Sequence, residues 1–325
     1  MKHNPSETLR ILLIEDDPDD ETLIIRRLRR ANGWKIIYLC IHTEAALLVA
    51  LEKPDWDIVL CDFKLPSLSP YKALEIVKSI NYDLPFIIIS GSVREDVAIE
   101  LLKAGASDFI SKDNPDRLPL AIRRELKQAG ERVQSKLDIA RSYDMTMLGW
   151  GELLELRDHF TSGHTQRVTD LTLRLARRLG VEGIDFTNIY RGAMLHDVGK
   201  MAIPDVILLK PEPLDVHERR IIQKHPEIAY ERLRKIPYLA GALNIPYCHH
   251  EAWDGSGYPR GLQGKAIPFE ARLFSVVDVY DALTSERPYR KAWSRDQALT
   301  YLQHQKDKAF DPEIADHFLV LIGMD

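Results

Sequence analysis

The 325-residue chain is poor in cysteine, with Cys40, Cys61 and Cys248 alone. Three thiols support no disulfide framework, so a reducing compartment is expected. The stretch from Met1 to Arg10 is polar and lacks the apolar centre of a signal sequence. No run approaches the ~18 uninterrupted apolar residues that a spanning helix needs. The expectation is a cytoplasmic chain with no membrane span. An excess of basic charge is missing too, with a net charge of -5 and a pI near 6.1. Contact with a phosphate backbone is driven by clustered Lys and Arg, so a nucleic-acid polymer is a poor partner. The one dense basic run, Arg26-Arg27-Leu28-Arg29-Arg30, reads as the solvated face of a helix. Internal repeats and low-complexity segments are absent. What remains is 45% hydrophobic and 29% charged, an ordinary globular balance, at a length that suits two domains.

The first part of the chain alternates short apolar runs with amphipathic stretches. Strands are expected at Leu9 to Ile14, Lys35 to Cys40, Ile58 to Cys61, Phe86 to Ser90 and Asp108 to Ile110, with helices such as Glu21 to Ala31 and Val93 to Ala104 between them. That alternation predicts a doubly wound parallel sheet covered on both faces. From about Leu118 the pattern is helical throughout, and from Leu148 onward the helices are separated by Gly and Pro breaks. The expected fold is therefore α/β plus all-α: a doubly wound first domain (1–124), a connecting helix (125–147) and a helical second domain (148–325). Leu126, Val133, Ala140 and Met147 recur at a spacing of seven, with Leu137 between and Gly130 interrupting. Two readings of the helix from Pro119 to about Tyr143 stay open: pairing with its mate in a homodimer, or lying alone as an amphipathic helix.

Several polar residues fall where buried parallel strands end, the edge at which such sheets place ligands. Glu15 and Asp16 follow Ile11-Leu12-Leu13-Ile14, and Asp62 follows Ile58-Val59-Leu60-Cys61. Ser90 ends the run from Phe86, and Lys112 comes just after Phe109-Ile110. Converging carboxylates repel one another and call for a cation, and magnesium, which prefers oxygen ligands, suits them. With that charge neutralised, Asp62 can attack a phosphoryl donor while Ser90 and Lys112 bind its oxygens. Over about residues 8–125 this set resembles the receiver domain of two-component response regulators. The resemblance implies a five-stranded fold and phosphorylation by a histidine kinase. It assigns magnesium to Glu15, Asp16 and Asp62, the phosphoacceptor role to Asp62, phosphate sensing to Ser90 and Lys112, and the switch aromatic to Phe109. Receivers usually place Pro after the lysine, with a cis bond between them. Here Asp113 stands there, and a cis bond before a non-proline costs roughly 3 kcal/mol.

The second half holds five histidines and two aspartates at spacings that suit metal: His164, His196, Asp197, His225, His249, His250 and Asp278. Neutral imidazole suits iron, manganese or zinc, and carboxylates extend the fit to harder ions. On a helix, adjacent side chains point about 100° apart. His196-Asp197 and His249-His250 can therefore serve two neighbouring ions, with Asp197 between them. Two divalent ions supply the activated water and positive charge that phosphodiester hydrolysis near neutral pH requires. His196 and Lys200, at i and i+4, are expected on one helical face.

Extended runs surround these ligands: His196-Asp197-Val198-Gly199-Lys200, Ile203-Pro204-Asp205, His249-His250-Glu251, Asp254-Gly255-Ser256-Gly257-Tyr258-Pro259 and Asp278-Val279-Tyr280-Asp281-Ala282-Leu283-Thr284. Together they resemble the HD-GYP branch of HD-type metal-dependent phosphohydrolases, over about residues 148–320. The resemblance implies hydrolysis of cyclic di-GMP to linear pGpG, with the further step to GMP left open, and with His196, Asp197 and Lys200 catalytic. Lys200 matches a lysine that contacts the scissile phosphate or protonates the leaving oxygen. Gly257, Tyr258 and Pro259 match the signature triplet, which shapes a loop beside the site and contacts partner proteins such as diguanylate cyclases. Arg287 and Arg290 match residues that bind the second phosphate, a task for which the guanidinium fork is suited. Members with three metals carry a glutamate four residues before the first histidine. Phe160 stands there in this chain, so two metals, iron or manganese, are expected. Two alternatives remain. One is hydrolysis of another cyclic dinucleotide, because the ligands meet the phosphate and not the bases. The other is a non-catalytic module that binds a cyclic dinucleotide or a protein. No ligand of the set is missing, which favours turnover.

Overall fold

The computed structural model describes residues 8–53, 55–91, 95–158, 163–286 and 291–323. It divides into two compact units, Met1–Ala140 and Arg141–Asp325.

The first unit is built on five strands, β1 (Thr8–Ile14), β2 (Lys35–Ile41), β3 (Ile58–Asp62), β4 (Phe86–Ser90) and β5 (Asp108–Ser111). All pair in parallel, in the order β2-β1-β3-β4-β5. Residues 11–14 of β1 and 58–61 of β3 are wholly buried, because helices cover both faces of the sheet and leave no polar alternation. The covering helices are α1 (Pro18–Asn32), α2 (Glu44–Leu51), α3 (Pro70–Ile80), α4 (Glu95–Lys103) and the start of α5 (Arg117–Asp158). Local signals set their ends. Asp17 caps α1 by accepting from the Asp19 amide, Pro18 opens it, and Gly33 closes it at φ 68°. Parallel pairing brings the carboxyl ends of β1, β3, β4 and β5 to one edge, where the acidic residues stand.

The connecting helix is longer than the sequence pattern suggests. The stretch from Pro119 to Tyr143 lies inside α5, which runs on to Asp158, and Gly130 does not break it. Glycine in a helix interior costs about 1 kcal/mol relative to alanine, which a helix of this length absorbs. Residues up to Ala140 belong with the first unit and those from Arg141 with the second.

The second unit has no strand among its described residues. After the end of α5 come α6 (His164–Arg178), α7 (Gly183–Leu195), a 3-10 turn (Val198–Ala202), α8 (Asp205–Leu208), α9 (Val216–Ile222) and α10 (His225–Leu233). They are followed by α11 (Asn244–Cys248), α12 (Phe269–Thr284), α13 (Arg295–His304) and α14 (Pro312–Gly323). The core joins α6, α7, α12 and α14 through Val168, Leu175, Ile189, Leu273, Phe274, Val277 and Phe318. Side chains of this size each contribute roughly 1.5–3 kcal/mol on burial. Among the described residues no helix is long and apolar enough to cross a membrane.

Candidate metal centres

In the first unit, Glu15 leaves β1, Asp62 ends β3, Ser90 ends β4 and Lys112 follows β5. Glu15, Asp62 and Ser90 are buried. Glu15, Asp16 and Asp62 each offer an oxygen within 4.8 Å of the others. Lys112 Nζ reaches Asp62 Oδ1 at 2.7 Å, Asp20 Oδ2 at 2.5 Å and Glu15 Oε2 at 3.3 Å. Its backbone N–H donates to the Ser90 carbonyl at 2.6 Å. Burial pushes the Glu15 carboxyl up, the nearby Asp62 charge adds to this, and an amide and Lys112 oppose it. Burial works against charge on Lys112, but Asp20, Asp62 and Glu15 more than offset it and raise its pKa. The pocket is an acidic cradle with the Lys112 ammonium inside. Phe109 is half-buried against the core, and the Lys112–Asp113 bond is trans.

In the second unit the seven expected ligands fall into two groups. Asp197, His225, His249 and His250 form one, and His164, His196 and Asp278 the other, with ligand atoms in each within 4.8 Å of one another. Asp197 lies between them. Its Oδ2 is 3.2 Å from His196 Nε2, while its Oδ1 is 3.3 Å from His225 Nε2 and 3.8 Å from His249 Nε2. His164 Nε2 is 3.4 Å from Asp278 Oδ1. His225 Nε2 and His249 Nε2 face each other at 3.3 Å. Two nitrogens bound to one ion at ~2.1 Å stand about 3.0–3.4 Å apart.

The donors fit a metal. His196, His225 and His249 each anchor Nδ1 on a backbone carbonyl, of Ala193, Ile222 and Ile245, at 2.8, 2.8 and 3.0 Å. His164 Nδ1 is anchored on Asp281 Oδ2 at 2.8 Å. An Nδ1–H donated in this way fixes the tautomer and leaves the Nε2 lone pair for a metal. His196 Nε2 is buried with no hydrogen-bond partner of good geometry, an orphaned atom that a cation would satisfy. Burial favours the neutral, ligating form at three imidazoles: it lowers His225, lowers His249 far, and brings His250 down to about 4. His196 goes the other way. Burial disfavours its charge, but the Asp197 carboxylate, with help from Asp278, holds its pKa up. Asp197 is partly buried, and although desolvation opposes its charge, Lys200, His196 and His225 hold it well below the usual carboxylate range.

The helical reading of residues 196–200 does not hold. α7 ends at Leu195, His196 is its C-cap, and Lys200 sits in the 3-10 turn. Lys200 Nζ meets Asp197 Oδ2 at 2.6 Å, an i,i+3 contact in place of a shared face with His196. Gly199 makes the turn possible, because a Cβ there would stand 2.0 Å from the His225 carbonyl oxygen. The loop of Gly257, Tyr258 and Pro259 packs on a ligand. The Tyr258 ring stacks on His250 with centroids 4.8 Å apart, and its amide donates to the His250 carbonyl at 3.1 Å. A Cβ on Gly257 would fall 2.2 Å from the Ala252 nitrogen and 2.5 Å from the His250 oxygen. Glu251 ties the loop down by accepting from the Arg260 and Leu262 amides. Cys248 is buried and packs in a small apolar cluster. Arg287, Arg290 and Phe160 lie outside the described residues.

Sequence reasoning missed Asp281. Burial acts to raise its pKa, but hydrogen bonds from His164 and Arg167 hold it down to about 2. Arg167 Nε and Nη2 grip its two oxygens at 2.6 and 3.0 Å. The signal was available, because Asp278 and Asp281 are i and i+3 on α12 and share a face. Phe274 was missed as well; its ring lies 4.8 Å from His196 and 6.0 Å from His249.

An acid pocket at the strand ends of a doubly wound sheet, joined to a helical unit with two histidine-rich clusters, defines the class: a signalling protein with a metal-dependent hydrolase. Residues 11–123 match the response regulator receiver domain, and residues 151–314 match the HD domain. The chain is 35% identical, over 81% of its length and 75% of the relative's, to the cyclic di-GMP phosphodiesterase response regulator RpfG of Xanthomonas campestris pv. campestris (strain 8004). It is 30% identical to a cyclic di-GMP phosphodiesterase of Thermotoga maritima, over 96% of this chain and 90% of that one. A 3'3'-cGAMP-specific phosphodiesterase 2 of Vibrio cholerae is 38% identical over 58% of this chain and 37% of its own. This chain belongs to the family of response regulators that join a receiver domain to an HD-type phosphodiesterase domain.

Proposed function

We propose that this protein is a response regulator that hydrolyses cyclic di-GMP, with pGpG or GMP as the end product, under the control of phosphorylation at Asp62. The observation that carries the reading is the division of seven donors into two groups that meet at Asp197, in a chain related along most of its length to cyclic di-GMP phosphodiesterases. Asp197, His225, His249 and His250 would hold one divalent ion, and His164, His196 and Asp278 the other, with Asp197 shared. Iron or manganese suits this donor set. When bound, the ions lower the pKa of water and take up charge on the phosphoryl oxygens.

The chain's own residues then have distinct tasks. Lys200, 2.6 Å from Asp197, carries a positive charge and a proton to the scissile phosphate or the leaving oxygen. Asp281 and the backbone carbonyls fix the imidazoles, and Tyr258 holds His250 by stacking. Burial, with Asp197 and Asp278 adding, pushes the Tyr258 phenol up, so it stays a protonated donor. Arg287 and Arg290 bind the second phosphate. In the first unit Glu15, Asp16 and Asp62 hold magnesium, a histidine kinase supplies the phosphoryl group, and Ser90, Lys112 and Phe109 respond to it. The setting is the cytoplasm, with a homodimer formed through α5 and diguanylate cyclases as further partners.

The test is anaerobic purification, metal analysis and product assay against a panel of cyclic di-GMP and 3'3'-cGAMP, the panel being required by the relative that acts on the latter. Release of pGpG supports the reading. Cyclic di-GMP left intact by iron- and manganese-replete protein overturns it.

A further inference from the structure

Arg157, near the end of α5, grips the turn that carries Lys200. Its Nη1 donates to the carbonyls of Met201 at 2.8 Å and Lys200 at 3.3 Å, and its Nη2 to that of Ile203 at 2.6 Å. Nε and Nη2 also meet Asp205 Oδ1 at 2.9 and 2.6 Å. These carbonyls stand at the end of the 3-10 turn and its C-cap, where helical segments run out of intrahelical donors; that of Lys200 also accepts the Ile203 amide at 2.9 Å. A planar fork with donors in fixed directions can serve several at once, and a point charge cannot. On its other side the turn has no slack. Gly199 is pressed against α10, where even a methyl group would collide with the His225 carbonyl. The segment that carries Lys200 is thus held between α10 and Arg157.

Two residues earlier on the same helix, Glu155 accepts from the amides of Gly163 at 2.7 Å and Thr165 at 2.6 Å. It caps the start of α6, where His164 stands. One turn of α5 therefore sets both the first imidazole and the lysine turn.

We infer that Arg157 is the positioning residue that holds Lys200 against Asp197, and that the end of α5 is the handle by which the geometry of the reaction is set. This rests on the reading of Lys200 given above. The hydrogen bonds of Arg157 go to Lys200, Met201, Ile203 and Asp205 and to none of the seven proposed ligands, so its loss should alter turnover and leave metal binding alone. Misplacing a catalytic group by about 1 Å costs on the order of 10²-fold.

The experiment measures kcat, KM for cyclic di-GMP and bound manganese in the full chain. It compares wild type, Arg157→Ala, Arg157→Lys, Lys200→Ala and the double variant Arg157→Ala with Lys200→Ala. Arg157→Ala is expected to lower kcat about 10- to 100-fold, with KM and bound manganese unchanged. Arg157→Lys should recover only part of the loss. The double variant should be no slower than Lys200→Ala, because two residues acting through one group do not add. Should Arg157→Ala fail to fold, Arg157→Lys carries the test: reduced kcat at full metal content supports the inference, and wild-type kcat overturns it. Wild-type kcat in Arg157→Ala beside a slow Lys200→Ala overturns the inference alone. Losses that multiply in the double variant, or loss of manganese in Arg157→Ala, also overturn it. A fully active Lys200→Ala overturns the role of Lys200 and this inference with it.

Discussion

In the first unit three carboxylates meet at strand ends, and Lys112 already stands among them at 2.7 Å from Asp62. In the second, five imidazoles and Asp197 at helix ends and turns meet Asp278 from within α12, and Lys200 stands at Asp197. The difference lies in how each pocket keeps its donors ready. The acidic pocket is charged and needs a cation to be tolerable, so a lysine and an exchangeable ion can alternate there. Burial favours the neutral form of His225, His249 and His250, and hydrogen bonds at Nδ1 orient His164, His196, His225 and His249, so Nε2 lone pairs are aimed in advance. The first arrangement suits a pocket that changes state, and the second suits one that retains its metal.

The largest effect is expected where the two histidine clusters join. Asp197→Ala removes the shared carboxylate and the partner of Lys200, and should lower cyclic di-GMP hydrolysis by about 10³-fold or more. Metal analysis should show less than two ions per helical unit, while beryllofluoride binding at Asp62 stays intact. Equal metal content in the variant would break the comparison, because Asp197 would then bridge nothing. Next in size is Asp281→Ala, which frees His164 Nδ1. Loss of such an orienting partner typically costs about 10- to 100-fold in metal affinity or activity, measurable by competition with a chelator. An unchanged affinity would mean that burial alone aligns His164.

The two sites were not equally legible. The strand runs are continuous and apolar, so Glu15, Asp62, Ser90 and Lys112 could be placed at one sheet edge from the chain alone, and the five strands were each found to within a residue or two. In the helical unit the spacing named seven candidate donors that the structure brings together, but their partition into two groups could not be read. It depends on α7 ending at Leu195 and on a 3-10 turn that Gly199 permits through close approach to α10, a tertiary contact with no local signature. Asp281 and Arg157 were unread for a similar reason. A carboxylate that orients an imidazole and an arginine that caps carbonyls of another segment look like ordinary surface charges until the chain folds. The length of α5 was also hidden, because Gly130 argues locally for a break that the helix does not make.

A smaller effect, and the one that links the two regions, is gating. Phosphorylation adds negative charge at Asp62 that Lys112 and Ser90 can bind, and should draw Phe109 inward. α5 starts at Arg117 and carries Glu155 and Arg157 in its last turn before Asp158, so a shift of this helix has a route to the Lys200 turn. Coupling of this kind is typically worth about 1–3 kcal/mol, or roughly 5- to 150-fold. Beryllofluoride with magnesium should change turnover of wild type, in a direction the assay will define, and leave Asp62→Asn unmoved. Equal rates in all four combinations, with mimic binding to wild type verified, would separate the two units functionally.

The smallest effect concerns the thiols that flank each pocket. Cys40 Sγ donates to the Glu15 carbonyl at 3.5 Å in the first unit, and Cys248 precedes His249 in the second. Burial, with Glu21 adding for Cys40, pushes its thiol up to about 12, and burial with Glu251 pushes Cys248 up to about 11. A raised thiol pKa means that deprotonation needs a higher pH, and the thiolate is the species that reacts. At pH 8 the thiolate fraction of Cys40 should be about 10³-fold below that of a thiol with a pKa of 9. Alkylation of the native protein by iodoacetamide should then be slow for both, and should rise for Cys40 as the pH climbs past 10. Cys248 should stay unlabelled until the helical unit unfolds, because it is 2% exposed. Rapid labelling of Cys40 at pH 8 would show that the carboxylates beside it do not govern that side of the acidic pocket. Labelling of native Cys248 at that pH would show that the wall behind His249 opens, which would undercut the account of neutral, preformed imidazoles.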